Sequence, residues 1–218
     1  MSLAHNHHHH AHSDLTNRAA IASVSMALFL LALKIFAAAE TGSVALLASL
    51  ADTGFDVLAS VLTLFSVRYA AMPADDDHRF GHGKAEALSA LFQVILITVS
   101  AILIAWRAIV RLDAQEQTAH PEYGIGVSVI AIVATLGLIA YQRHVVRKTG
   151  SVAIQADYVH YQSDLLLNIA VIIAILLDTM LNVRGADPLF GLAIAAWLLW
   201  GAYRAAGLAL DQLLDREW

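Results

Sequence analysis

Six long apolar stretches, separated by short polar segments, account for most of the sequence. They lie near residues 19–39, 44–67, 87–110, 123–144, 152–181 and 188–210. Because a helix rises 1.5 Å per residue, about 20 apolar residues cross the roughly 30 Å hydrocarbon layer of a membrane. The pattern predicts an all-α membrane protein, a bundle of six transmembrane helices over residues 19–213. We expect the fifth helix to begin with a turn or two of interfacial helix near residues 154–158.

The two ends of the chain depart from this pattern. Residues 1–18 are polar and lack the apolar core of a signal peptide. They contain six histidines, namely His5, His7, His8, His9, His10 and His12. We expect a disordered cytoplasmic tail, either an affinity tag or a natural segment that collects metal ions. Residues 214–218 form a short C-terminal stub.

Composition and charge narrow the class of protein. With 59% hydrophobic and 14% charged residues, and a mean hydropathy of +0.65, the chain is too apolar for an ordinary soluble domain. The net charge of -5, without a basic patch, argues against nucleic acid as a partner. The absence of cysteine excludes disulfides and thiolate metal sites.

The distribution of Lys and Arg predicts the orientation in the membrane. If the N-terminus is cytoplasmic, the inner side collects Arg18, Arg68, Arg79, Lys84, Arg143, Arg147, Lys148 and Arg216, and the outer side only Arg107, Arg111 and Arg184. Such an inner excess is typical of bacterial inner-membrane proteins, so both termini are predicted to be cytoplasmic. Lys34, in the outer half of the first span, is expected either to snorkel outward or to pair with another helix.

Four side chains that can bind metal interrupt two of the apolar stretches. Asp52 and Asp56 are four residues apart in the second stretch, and His160 and Asp164 repeat this spacing in the fifth, so each pair shares one helix face. The two spans run in opposite directions, and counting residues puts all four groups in the middle third of the membrane.

An Asp at that depth costs about 2.5 to 3.5 kcal/mol, and a lone one would serve a hydrogen bond between helices. Two pairs at one depth instead favour a metal site. Three carboxylates and one imidazole suit tetrahedral Zn²⁺, and Cd²⁺ or Fe²⁺ as alternatives.

Two further polar residues lie near the second pair. Asp157 precedes His160 by three residues and occupies a neighbouring face, where it is either an acid at the entrance of the site or a solvated carboxylate at the membrane interface. Asn168, one turn beyond Asp164, is expected to support the site or to pack against another helix.

The segment between the second and third spans has a second set of candidate ligands. Asp75, His78 and His82 offer one oxygen and two nitrogen donors within eight residues, and Gly81 and Gly83 allow the backbone to fold them together. Without other context, a solvated charged loop is the alternative. A site of three ligands here would suit metal capture or regulation.

Taken in order, these motifs resemble the cation diffusion facilitator family, and within it the bacterial zinc and ferrous-iron efflux transporters. The resemblance rests on the two spaced pairs and on the segment PADDDHRFGHGKAE. It implies a homodimeric exporter that exchanges metal ions for protons, with six spans in each protomer. It also assigns roles to individual positions, with transport-site ligands at Asp52, Asp56, His160 and Asp164, loop-site ligands at Asp75, His78 and His82, and a charged interlock at Lys84 and Asp215.

The C-terminus departs from that family. Members of this type usually continue past the sixth span into a cytoplasmic metal-binding domain, whereas this sequence ends at Trp218. We therefore expect either a truncated or a naturally short member, in which dimer contacts from that domain are missing.

The working hypothesis is a proton-coupled antiporter that exports Zn²⁺ from the cytoplasm. Cd²⁺ and Fe²⁺ are the alternative cargo ions. Two alternatives stay open: a membrane metal sensor that does not transport, and an exporter of the same family that prefers manganese or iron. An intramembrane hydrolase is not expected, because the sequence has no His-Glu-x-x-His motif.

Overall fold

The computed structural model describes the backbone of residues 3–41, 44–79, 81–111, 121–181 and 186–214. Within these ranges the chain forms six α-helices and no strand. The helices are α1 (Leu3–Thr41), α2 (Val44–Ala70), α3 (Lys84–Arg111), α4 (Pro121–Thr149), α5 (Val152–Leu181) and α6 (Ala186–Leu213). The all-α prediction is confirmed, and α5 has the predicted bounds. Most of the other helices run past the apolar stretches, since polar residues can continue the helical hydrogen bonds outside the hydrocarbon layer.

Helix α1 begins earlier than predicted. Its backbone is helical from Leu3, where we expected a disordered tail through Arg18. Thr16 is buried, and Leu15 packs against an apolar cluster that includes Val67 of α2 and Val145 of α4. The packed part of the bundle therefore begins before Ala19, because this turn of α1 has apolar neighbours to cover. The side chains of residues 1–12 lie outside the described part of the structure.

Helix α5 occupies the centre of the bundle and packs against all five other helices. In its first turns Ala153, Ile154 and Ala156 have no exposed surface, while Val152 and Gln155 are partly buried. These residues therefore pack inside the bundle, and the interfacial start of this helix stays a prediction. Gly201 helps α6 to approach α5 closely, since a Cβ atom there would lie 3.1 Å from Val159 Cγ1.

The outer surface of the bundle suits lipid. Helices α1, α3, α4 and α6 contain candidate membrane spans by length and composition, at Ser13–Ala39, Lys84–Val110, Ser128–Thr149 and Leu189–Leu213. Helices α2 and α5, with 27 and 30 residues, are also long enough to cross. Large apolar side chains such as Phe65 and Trp106 point outward, whereas many buried positions are alanine. Small residues between helices and large apolar ones outside are typical of a multi-pass membrane protein.

Candidate metal sites

Three of the four metal-binding side chains predicted within the membrane lie together. Asp56 on α2 meets His160 and Asp164 on α5, and one donor atom from each falls within 4.8 Å of the others. The His160 Nε2 atom lies 3.1 Å from Asp56 Oδ1 and 3.9 Å from Asp164 Oδ2. We call these three residues the membrane cluster. Asp52 belongs to α2, but its side chain lies outside the described part of the structure.

The side chains of the membrane cluster are largely but not completely buried. The side chains of Asp56 and Asp164 retain 22% and 26% of their exposure, against 12% for His160. The contact between His160 Nε2 and Asp56 lacks the alignment of a hydrogen bond, so this buried nitrogen has no hydrogen-bond partner among the described groups. An imidazole nitrogen directed between two carboxylates is a suitable donor set for a divalent cation.

Two neighbouring side chains support this arrangement without joining it. Asn168 Nδ2 donates a hydrogen bond of 2.7 Å to the backbone carbonyl of Asp164, one turn earlier on α5. Lys34 Nζ donates to Thr53 Oγ1 at 2.5 Å and so links α1 to α2 beside the site. Of the two alternatives for Lys34, the structure therefore has the pairing between helices.

The second cluster lies between α2 and α3 and consists of Asp75, His78 and His82, whose donor atoms also fall within 4.8 Å of one another. We call it the loop cluster. Asp75 Oδ1 lies 3.0 Å from His78 Nδ1, and Asp75 Oδ2 lies 3.4 Å from His82 Nε2. Gly81 adopts a positive φ of 78°, which lets the chain turn back between the two histidines.

The loop cluster is held by local contacts. Asp75 Oδ1 accepts hydrogen bonds from the backbone N–H groups of His78 (2.6 Å) and Asp77 (3.1 Å). The His78 N–H is the main cause that lowers the pKa of Asp75; desolvation opposes it, and the two imidazoles add to it. His82 is buried edge-on against Tyr69, with a centroid distance of 4.5 Å, and its Nδ1 atom has no hydrogen-bond partner among the described groups.

A third polar group surrounds Asp157. The sequence singled out Asp157 itself, but not its partners. Asp157 is fully buried and accepts hydrogen bonds from Gln93 of α3 and Gln142 of α4. The interpretation of Asp157 as a solvated interfacial carboxylate is therefore wrong, because the residue has no exposed surface and is enclosed by α3 and α4. A glutamine inside each of two apolar stretches was the signal that could have indicated the two partners.

Of the two residues in the predicted charged interlock, Lys84 and Asp215, only Lys84 belongs to the described part of the structure. Lys84 Nζ, at the start of α3, donates a hydrogen bond of 3.1 Å to the backbone carbonyl of Leu213, at the end of α6. Asp215 lies outside the described residues. The contact joins the ends of α3 and α6 on the side of the bundle that holds the loop cluster.

A cavity of about 440 Å³ lies at the same end of the bundle, away from the membrane cluster. Its lining includes Ser13, Glu86, Ser151 and Gln212. Ser151 donates a hydrogen bond of 2.5 Å to Glu86 Oε2, and so connects the start of α5 to α3. The cavity contains no member of either metal cluster.

Comparison with known proteins gives a consistent result. Residues 20–214 match the family model of the cation efflux transmembrane domain. The cation-efflux pump FieF of Salmonella arizonae is 47% identical over 205 residues, which are 94% of this chain and 68% of that protein. The FieF proteins of Yersinia pestis and Yersinia pseudotuberculosis are 47% identical over 198 residues, 91% of this chain and 66% of theirs.

These matches confirm the family resemblance and the expectation of a transporter rather than an enzyme. The chain spans about two thirds of the length of the curated relatives that it matches. With the membrane-domain match covering nearly the whole bundle, the chain belongs to the cation efflux family.

Proposed function

We propose that this chain exports divalent metal cations from the cytoplasm, with Zn²⁺ as the preferred cargo and Cd²⁺ or Fe²⁺ as further substrates. The observation that carries the proposal is the membrane cluster, in which two helices bring two carboxylates and one imidazole nitrogen within 4.8 Å of one another inside an apolar bundle. Asp52, one turn from Asp56 on α2, supplies the fourth ligand. Imidazole together with carboxylates favours zinc over magnesium, calcium or manganese.

Export is coupled to protons by competition for the ligands. A metal ion binds deprotonated carboxylates and a neutral imidazole, so protons from the outer side displace it and are carried inward. The cycle comprises metal binding from the cytoplasm, movement of a helix group, release outside and return with protons bound. The loop cluster, at the end of the bundle with Lys84 and Arg79, captures metal ions before they enter the membrane site.

The assembly we propose is a homodimer in a bacterial inner membrane, with both chain termini in the cytoplasm. The excess of Lys and Arg on one side supports this orientation. The relatives that share 47% of the residues are named cation-efflux pumps, which supports the direction of transport.

The test is zinc flux in proteoliposomes with an imposed pH gradient. In the wild-type protein, protons that flow down their gradient are expected to drive zinc in the opposite direction. The Asp56→Ala variant is expected to move no zinc. Asp14→Ala, a change at an exposed position of α1, serves as the matched control. If Asp56→Ala transported zinc at the wild-type rate, the assignment of the site would be wrong. If the wild-type protein bound zinc but did not transport it, a membrane metal sensor would be favoured.

A further inference from the structure

Asp157 is a titratable group at the centre of the bundle that the proposed metal site does not use. It has no exposed surface. Its Oδ1 atom accepts a hydrogen bond of 3.1 Å from Gln93 Nε2, and its Oδ2 atom accepts one of 2.7 Å from Gln142 Nε2. A carboxyl group in such a position must be either neutral or stabilised as an ion by its surroundings.

The surroundings of Asp157 are neutral hydrogen-bonding groups. Gln93 also contacts Thr63 Oγ1 on α2, and Gln142 also contacts Ser23 Oγ on α1. Five helices thus meet around one carboxyl group through amides and hydroxyls. Three titratable groups interact electrostatically with Asp157, namely His160, Tyr161 and Asp164, and all three belong to α5 itself.

The two glutamines suit a carboxyl group that changes its protonation state. As they stand, both amides offer N–H groups to an ionised carboxylate. Their carbonyl oxygens, Gln93 Oε1 and Gln142 Oε1, are buried with no hydrogen-bond partner among the described groups. Because an amide can turn to exchange its oxygen and nitrogen, either glutamine can instead accept the O–H of a protonated Asp157. The same pocket therefore serves both forms of the acid.

Asp157 is also placed to respond to the membrane cluster. It precedes His160 by less than one helical turn, so a metal ion held by His160 would lie within the range at which charges interact strongly in a low-dielectric interior. Tyr161, next to His160, donates a hydrogen bond of 2.8 Å to the Ser23 backbone carbonyl and lies 3.1 Å from Ser60 Oγ. The helix turn that carries the site is thereby tied to the same polar network.

We propose that Asp157 is a proton-binding site of the transport cycle, separate from the metal ligands. When a divalent cation occupies the membrane cluster, its charge favours ionised Asp157, whose proton is released to the solvent. When the cation departs, Asp157 takes a proton back, and one amide turns to accept it. This inference rests on the proposed function, to which it adds a proton carrier.

The first test measures how many protons are released when zinc binds. Calorimetry of the purified full chain, in buffers with different ionisation enthalpies, gives this number directly. In Asp157→Asn, which keeps the shape and cannot ionise, zinc should still bind, but the release should fall by up to about one proton per protomer. Asp14→Asn, at an exposed position, is the matched control and should release as many protons as the wild type.

Infrared difference spectra provide a second readout. Zinc binding to the wild type should remove a carboxylic acid C=O band, and this component should be missing from the Asp157→Asn spectrum. An unchanged proton release together with an unchanged band would overturn the proposal. Failure of the proposed function is distinguishable, because it would appear as absent proton-driven zinc flux in the wild type.

The case in which Asp157→Asn does not fold is covered by two variants that retain the carboxyl group. Gln93→Met and Gln142→Met each remove one N–H donor, and a charge-assisted hydrogen bond stabilises the ionised form more than the neutral one. The midpoint of the pH dependence of zinc affinity should therefore move to higher pH in both. An unmoved midpoint in both variants would contradict the proposal, whatever the fate of Asp157→Asn.

Discussion

The membrane cluster and the loop cluster are built from the same donor types, yet different forces hold them. In each, a carboxylate and an imidazole bring their donor atoms within 4.8 Å. The membrane cluster draws these groups from two helices that are far apart in sequence, whereas the loop cluster draws all three from eight consecutive residues. The first exists only when the bundle is assembled, and the second depends mainly on a local turn.

The clusters also differ in what satisfies their polar atoms. Asp75 of the loop cluster accepts two backbone hydrogen bonds and is half exposed to water. His160 of the membrane cluster has a buried nitrogen with no hydrogen-bond partner among the described groups. His82 of the loop cluster also has a buried nitrogen without such a partner, so the clusters differ chiefly in their carboxylates, which are half exposed at Asp75 and largely buried at Asp56 and Asp164. Because carboxylates removed from water are costly, a cation stabilises the membrane cluster more than the loop cluster. The comparison predicts that transport depends on the first site and is only modulated by the second.

The largest effect is expected from Asp164→Asn. This substitution keeps the shape of the side chain and removes one ligand charge from the membrane cluster. Loss of a residue that merely supports a ligand costs about 10- to 100-fold in metal affinity, so loss of the ligand itself should cost more. Zinc flux in proteoliposomes should fall to the level of protein-free vesicles, while Asp14→Asn keeps wild-type flux. Substantial zinc flux in Asp164→Asn would contradict the prediction that transport depends on the membrane cluster.

The next effect is that of His82→Ala in the loop cluster. His82 is the buried candidate ligand of that cluster, and its removal should lower zinc affinity there by more than the factor of about 10 to 100 that loss of a supporting residue costs. This affinity is measured by calorimetry in an Asp56→Ala background, so that the membrane cluster does not contribute. Flux in an otherwise wild-type chain should fall only at low zinc concentration, where capture limits the rate. If His82→Ala abolished flux at saturating zinc, the two clusters would not have separate roles.

The donor spacings were the part of the site that the sequence could predict. Two pairs at i, i+4 fix two helix faces, and Val152–Leu181 formed the helix that the apolar pattern predicted. Local spacing is readable because helix geometry converts sequence distance into direction. The loop cluster was predictable for a similar reason, since its three ligands are neighbours in the chain.

The surroundings of Asp157 could not be predicted in the same way. Its partners Gln93 and Gln142 lie 64 and 15 residues away, on different helices. Which helices enclose α5 is decided by packing between small residues, and the apolar pattern gives no pairing between spans. The same limitation left two alternatives for Lys34 and put the start of the bundle at Ala19, although Leu15 packs against its neighbours.

A smaller effect, on selectivity rather than rate, is expected from His160→Asp. The change replaces the only nitrogen donor of the membrane cluster with an oxygen donor, and harder or larger cations accept such a site more readily. The rate of Zn²⁺ relative to Cd²⁺ or Mn²⁺ should fall by about tenfold. Competition between these ions in one flux assay measures the ratio, with His144→Asp, at an exposed position of α4, as the matched control. Unchanged relative rates would show that the imidazole does not set selectivity.

The smallest effect is that of Asp75→Asn, and it concerns pH. Because the His78 backbone N–H lowers the pKa of Asp75, this carboxylate stays ionised below the ordinary value of about 3.9. Its contribution to the folded loop is therefore present above that value and is lost only as the pH falls through the lower pKa of the folded state. Between pH 5 and 7 its charge does not change, so Asp75 itself gives zinc affinity no pH dependence in this range. Asp75→Asn in the Asp56→Ala background should accordingly lower zinc affinity by a similar factor at pH 5 and pH 7, as measured by calorimetry. If zinc affinity depended less on pH in this variant than in its Asp56→Ala parent, Asp75 itself would titrate in this range. The local hydrogen bonds would then no longer distinguish the loop cluster from the membrane cluster.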